Sequence, residues 1–208
     1  MAKTSPEMDT SLLEERIRAR LEGRLSPKRW AHSLSVAETA AELAAAHGVD
    51  PGAARIAGLL HDCARELAPE DLLDLARAHD LAIDEIERAE PLLLHGKVGA
   101  ALATEWFGLT DPDLLAAIAL HITGGPGMSS LARIVFLADF IEPGRRMPAA
   151  EKARAHATCD LSAALLVAFE AIIAYVVSGG YLLHPRTVAA RNELAGERSR
   201  TRTVEQWR

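Results

Sequence analysis

The stretch "AGLLHDCARE" (residues 57–66) sets a histidine and an aspartate side by side at the end of an apolar run. Burying either side chain costs several kcal/mol unless it is paired, hydrogen-bonded or metal-bound. On a helix, neighbouring residues point roughly 100° apart, so His61 and Asp62 are not expected to pair with each other. An ion that reaches both is the simplest partner. The question that decides the fold is what kind of frame surrounds the pair.

Working outward, the chain carries repeated helix punctuation. Ser26-Pro27, Asp50-Pro51 and Asp111-Pro112 each combine a capping side chain with proline at the first helical position, where its missing N–H costs nothing. They predict helices over 27–47, stopped by Gly48, over 51–63, and over 112–121, ending in "TGGPG". Pro69 starts another through His79. Further helices are expected over 92–108, closed by Gly108, over 129–144, closed by Pro143 and Gly144, over 149–178, and from about Arg186. There is no strand alternation, internal repeat or low-complexity linker. With abundant Leu and Ala and 4% aromatic residues, the expected fold class is all-α.

The 208 residues suit a single domain, placed at 1–194, with a polar, arginine-bearing tail over 195–208 that looks dispensable for packing. A formal net charge of −6 excludes a broad attraction to nucleic acid, so any phosphate binding has to be local. The apolar run "LSAALLVAFEAIIAYVV" (161–177) carries Glu170 and falls short of the ~20 residues a bilayer requires, so it reads as a buried core helix rather than a membrane span. A homodimer through leftover apolar surface of that segment stays open. The N-terminus lacks a positive-then-apolar signal pattern, and Cys63 and Cys159 are too few for a disulfide framework, so a cytoplasmic location is expected.

On this frame, His32, His61, Asp62, His95, His121 and Asp139 all lie beside apolar neighbours, in "WAHSLSV", "GLLHD", "LLLHG", "AIALHI" and "FLADF". One such residue is ordinary in a core; all six together point to a shared purpose. Neutral imidazole and carboxylate are together the ligands of first-row metals such as iron, manganese or zinc, and His32 and Asp139 are the natural partners of His61 and Asp62. Structural zinc prefers cysteine-rich closed sites, and Cys63, the one nearby thiol, reads as a small core residue.

The order of these residues resembles the HD-domain superfamily of metal-dependent phosphohydrolases, in particular its YqeK branch of symmetrical bis(5′-nucleosyl)-tetraphosphatases. The resemblance spans about residues 14–192. It rests on "RWAHSLSVAETAAELA" (29–44), "AGLLHDCARE", "LLHGKVGA" (93–100), "AIALHITG" (117–124), "ADFIEPGRR" (138–146) and "YLLHPRTVAARN" (181–192). It implies an HD-domain helical bundle in which His32, His61, Asp62 and Asp139 hold a metal. Iron is the implied metal, with manganese, cobalt and nickel compatible with the same ligands, and a second metal is conceivable at His95 and His121. It further implies catalytic roles for Asp62, His95, His121 and Arg145. Substrate contacts are implied for His95, His121, Ile122, Asp139 and Arg145, and for the stretch Leu182, Leu183, His184, Pro185, Arg186 and Thr187.

The chemistry fits without the family name. Four phosphates repel an incoming nucleophile, so hydrolysis needs charge neutralisation and a water made basic at neutral pH, both of which a divalent metal supplies. Asp62 is placed to orient or deprotonate that water, and Lys97, Arg145 and Arg186 could stabilise phosphate charge beside His95 and His121. The expected function is hydrolysis of diadenosine tetraphosphate to two ADP. The alternatives are an HD nucleotidase or phosphodiesterase acting on another nucleotide, or a non-catalytic nucleotide-binding module, against which the complete ligand set argues.

Overall fold

A computed structural model describes residues 10–206, with side chains to residue 200. It shows α1 (Thr10–Leu21), α2 (Pro27–Ala46), α3 (Pro51–Leu60), α4 (Pro69–Ala78), α5 (Glu85–Ala89), a 3₁₀ turn (Pro91–Leu94), α6 (His95–Phe107) and α7 (Pro112–Leu120). There follow α8 (Ser130–Ile141), α9 (Pro148–Ala157), α10 (Leu161–Ser178) and α11 (Pro185–Gln206). The described residues contain no named strand, as the all-α expectation requires.

The expected caps form. The Ser26 hydroxyl accepts from the Arg29 N–H, Asp50 from the Gly52 N–H, and Asp111 from the N–H groups of Asp113 and Leu114. α1 and α5 have no counterpart in the sequence-based reading, although α5 opens with a reciprocal Asp84–Glu87 capping box.

Four expectations need correction. The helix placed over 51–63 stops at Leu60, so His61 and Asp62 lie in the turn that follows. The run over 129–144 ends at Ile141. The single helix over 149–178 is two, because the Asp160 carboxylate accepts the Ala163 N–H and starts α10 afresh. Finally, α10 is an outer helix rather than a buried one: 22% of it lies inside the protein, through residues that include Leu165 and Phe169. By length and composition α10 could cross a bilayer, but Phe169 stacks on Phe136 of α8 with ring centroids 4.3 Å apart, which ties it to the bundle core. α11 continues through Leu194, and its Glu197 and Arg198 pair with Arg133 and Asp160.

The main core gathers residues of α2, α3, α7, α8 and α10, among them Val36, Ile56, Ile118, Ile134 and Phe169. A smaller cluster of Ala64, Leu72, Ala76, Leu94, Val98 and Leu102 joins α4 to α6. Two crossings position the functional side chains. A Cβ on Gly58 would stand 2.7 Å from the Ala37 Cα, so α3 and α2 meet backbone to backbone. A Cβ on Gly96 would stand 2.7 Å from the Ala119 carbonyl oxygen, which brings α6 equally close to α7. Only glycine permits either approach.

Candidate metal centre

The α2/α3 crossing carries His61, just past the end of α3, to within 5.3 Å of His32, ring centroid to ring centroid. The α6/α7 crossing sets His95 and His121 4.9 Å apart, and His61 and His121 close the row at 4.8 Å. Asp62 sits among them, with Oδ2 3.4 Å from His61 Nε2 and 3.8 Å from His32 Nε2, and Oδ1 3.1 Å from His95 Nε2 and 3.6 Å from His121 Nε2. Asp139, inside α8, places Oδ1 3.0 Å from His32 Nε2. All six residues singled out in the sequence therefore converge. His61 and Asp62 do approach each other, contrary to the helical argument, because the regular helix ends one residue before them.

The ring orientations are set by the backbone. His61 Nδ1 lies 2.7 Å from the Gly58 carbonyl, His95 Nδ1 2.5 Å from that of Leu92, and His121 Nδ1 2.7 Å from that of Ile118. A carbonyl only accepts, so each Nδ1 carries a proton and donates it, leaving the Nε2 lone pair of a neutral ring turned inward. His32 is held instead by Glu142, whose Oε1 lies 3.3 Å from His32 Nδ1. Glu142 in turn accepts from Ser35 Oγ at 2.9 Å and from the Gly144 N–H at 2.6 Å. A carboxylate behind a ligating histidine fixes its tautomer and raises its basicity.

This arrangement leaves acceptors without donors. His32 Nε2 and His61 Nε2 are buried and make no hydrogen bond; His32 Nε2 is close to Asp139 but not aligned with it. His95 Nε2 and His121 Nε2 face each other at 3.1 Å with both Nδ1 protons committed elsewhere. Ligand atoms of His32, His61 and Asp139 lie within 4.8 Å of one another, and so do those of His61, Asp62 and His121. Unpaired imidazole nitrogens converging with carboxylate oxygens are the donor set of a first-row divalent metal, so the residues fit the ion the sequence implies.

The electrostatics agree. Burial opposes the charged form of Asp62, but His61 and the other imidazoles packed around it outweigh that cost and hold the carboxyl far below its ordinary range. Burial likewise opposes ionisation of Asp139, and the neighbouring His32 and His61 together with the Arg145 guanidinium overcome it and hold the carboxyl below its ordinary range. The histidines divide. At His95 burial wins and the imidazole is pushed down to about 4; at His61 burial also pulls down, but the Asp62 carboxylate outweighs it and the shift is upward. Cys63 stays in the core: burial pushes its thiol up to about 12, and its Sγ lies 3.7 Å from the Gly99 carbonyl.

Asp62, His95, His121, Ile122, Asp139 and Arg145 open onto a cavity of about 520 Å³ whose remaining wall includes Arg29, Arg65, Leu92, Met147, Ile172 and Tyr175. Arg145 Nη2 holds Asp139 Oδ1 at 2.6 Å, and Arg29 Nη1 holds Asp62 Oδ2 at 2.6 Å. Sequence reasoning missed Arg29 and Glu142. Both stand inside quoted motifs, yet neither has a spacing that distinguishes it from a surface charge. Two expectations about cations are corrected: Lys97 turns away from the cavity to Glu87 at 2.6 Å, and Arg186 lines a separate depression with Leu120 and Pro126. Nor does any of Leu182–Thr187 line the main cavity. His184 Nε2 bonds Asp84 Oδ2 at 2.8 Å, and Thr187 Oγ1 donates to the Thr123 carbonyl at 2.9 Å.

A helical bundle that converges histidines and aspartates on a cation-hungry floor defines a metal-binding hydrolase scaffold. The model of the HD domain matches residues 29–144, and the chain belongs to the HD-domain family. It is 36% identical over 170 residues to the symmetrical bis(5′-nucleosyl)-tetraphosphatase of Halalkalibacterium halodurans, covering 82% of this chain and 90% of the relative. It is 32% identical to the protein of the same name from Bacillus subtilis, covering 82% and 91%. The crystal structure of an HD superfamily hydrolase from Clostridium acetobutylicum, described as involved in NAD metabolism, superposes with a TM-score of 0.86 at 39% identity, over 88% of this chain and 97% of that one. The family and the donor set together make the centre a divalent-metal site.

Proposed function

We propose that the protein hydrolyses dinucleoside tetraphosphates symmetrically, converting diadenosine tetraphosphate and water into two ADP. The observation that carries this reading is the set of undonated imidazole nitrogens gathered around Asp62 and Asp139 on the floor of an arginine-lined cavity, in a chain whose relatives bear that activity in their names. His32, His61, Asp62 and Asp139 are the proposed ligands, and iron the proposed metal. When bound, a divalent metal supplies charge neutralisation at phosphate oxygens and acidifies water.

The chain's own groups do the rest. Asp62 lies within 3.8 Å of all four imidazole Nε2 atoms, and its proposed part is to help hold the metal and to orient or deprotonate the attacking water. His95 and His121 present facing Nε2 atoms 3.1 Å apart to the cavity, the pair that would hold a second cation or meet the substrate phosphates. Arg145 and Arg29 brace the carboxylates while standing in the cavity wall, and Arg65 adds a further cation there. The Leu182–Thr187 stretch would meet a nucleotide only outside the cavity, where Leu182, Pro185 and Arg186 are exposed. In the overall reaction the water oxygen bonds to one of the two central phosphorus atoms, the bridging oxygen leaves with the other half, and one ADP carries the new oxygen.

The experiment is anaerobic purification, metal analysis and chromatography of products from diadenosine tetraphosphate in ¹⁸O-labelled water. Two ADP per substrate, with label in one of each pair, is the expected outcome. Early, equal amounts of ATP and AMP would overturn the symmetrical assignment, and no hydrolysis by metal-replete protein would overturn the reading as a whole.

A further inference from the structure

The cavity has two chemically different ends. Its floor is imidazole, carboxylate and guanidinium, whereas its mouth carries Leu92, Met147 and Tyr175, which are 40%, 41% and 68% exposed. Exposed apolar side chains gathered at the mouth of a polar pocket mark a surface built to meet a ligand. Tyr175 stands out among them. It projects from the last turn of α10, and the chain then folds back so that the Tyr181 ring lies 6.0 Å away, tilted by 30°. That return is built in: the Tyr181 N–H donates to the Val176 carbonyl at 3.0 Å, and a Cβ on Gly179 would stand 2.4 Å from the Tyr181 ring. Tyr181 directly precedes the exposed Leu182.

From this geometry we infer that Tyr175 is a nucleobase platform: the base of one nucleoside diphosphate half stacks on its ring while the phosphates reach inward to the centre. A nucleoside diphosphate, anionic at one end and flat and apolar at the other, matches both ends of this cavity. Every base has a π face, so a tyrosine platform accepts any of them, and ring-on-ring contact rather than the phenol hydroxyl supplies the affinity. Tyr181 acts as a positioning residue that limits where the Tyr175 ring can turn.

This inference rests on the nucleotide reading above, but its test is independent of turnover. Titration calorimetry of the metal-loaded enzyme with ADP, and separately with inorganic pyrophosphate, compares a ligand with a base to one without. Tyr175→Ala should weaken ADP about tenfold and leave pyrophosphate within about twofold, while Tyr175→Phe should match the wild type for both. Tyr181→Ala should show a smaller, ADP-specific loss, which a merely structural role would not confine to the ligand carrying a base. The inference is overturned if Tyr175→Ala leaves ADP affinity unchanged, if it weakens pyrophosphate by the same factor, if Tyr175→Phe loses as much as Tyr175→Ala, or if the wild type does not bind ADP. Wild-type enzyme that binds ADP through Tyr175 but does not cleave diadenosine tetraphosphate would sink the hydrolase reading alone.

Discussion

Among the described residues, two places bring histidine and carboxylates within metal-binding distance, and they differ in what remains unsatisfied. At the centre, His32 Nε2 and His61 Nε2 have no donor, and two further Nε2 atoms face each other. At the second place, Asp84, Glu87 and His184, every group has a partner. His184 Nε2 donates to Asp84, its Nδ1 accepts the Arg186 N–H at 3.1 Å, and Glu87 takes Lys97 and the Asp84 N–H. Residue types and distances alone would rate the two alike. Counting donors against acceptors separates a binding site from a bracket that joins α5 to the start of α11.

The comparison can be broken most directly at Asp62. Asp62→Ala should abolish turnover and bound metal while far-UV circular dichroism keeps the helical signal; normal metal content by mass spectrometry would put the centre in the same class as the bracket. Glu142→Gln removes the carboxylate behind His32 and should lower metal affinity by roughly 10–100-fold with folding intact, measured by competition with a chelator. At the bracket, His184→Ala should leave metal content unchanged and cost about 1–3 kcal/mol of stability in denaturant unfolding, because the Asp84 carboxylate and the Arg186 N–H lose their partner.

Acidity gives a finer probe. His95, at about 4 when folded against the ordinary 6.5, takes up a proton on unfolding between those limits, so its contribution to stability is present above 6.5 and is lost as pH falls toward 4. The slope is about 1.4 kcal/mol per pH unit at most for one group. His61 shifts the other way, and a comparison of metal-free wild type with His95→Gln cancels it. The variant should lose less Tm between pH 7 and pH 5, and equal losses would show that His95 is not held neutral. The smallest effect is expected from deleting residues 195–208: the pairs of Glu197 and Arg198 with Arg133 and Asp160 are each worth about 0–1 kcal/mol, so metal content and activity should persist with a slightly lower Tm.

Most of the architecture was readable because helix starts are written locally: Ser26, Asp50 and Asp111 before proline act through bonds within a few residues. The same holds for the six polar residues of the centre, which stand out against apolar neighbours wherever the fold takes them. What escaped depends on contacts between distant segments. Glu142 is legible as a buried acceptor only once α2 brings His32 and Ser35 beside it, and Arg29 only once Asp62 arrives from the turn after α3. The stop after Leu60 carries neither glycine nor proline, so no local signal marks it. Asp160 could as easily have sat on the exposed face of one long helix as capped a new one. The outward apolar face of α10 is another such case, since composition does not tell how many neighbours a helix will have.

The crossings at Gly58 and Gly96 have a consequence for how such an enzyme can diversify. The spacing of His32 to His61 and of His95 to His121 is set where main chain touches main chain, so repacking of side chains elsewhere in the core has little purchase on it. Leu92, Met147 and Tyr175, by contrast, sit at the exposed rim and support no buried layer. Lineages can therefore exchange rim residues, and with them the ligands they select, at almost no risk to the centre, whereas a single methyl group added at either crossing would end it.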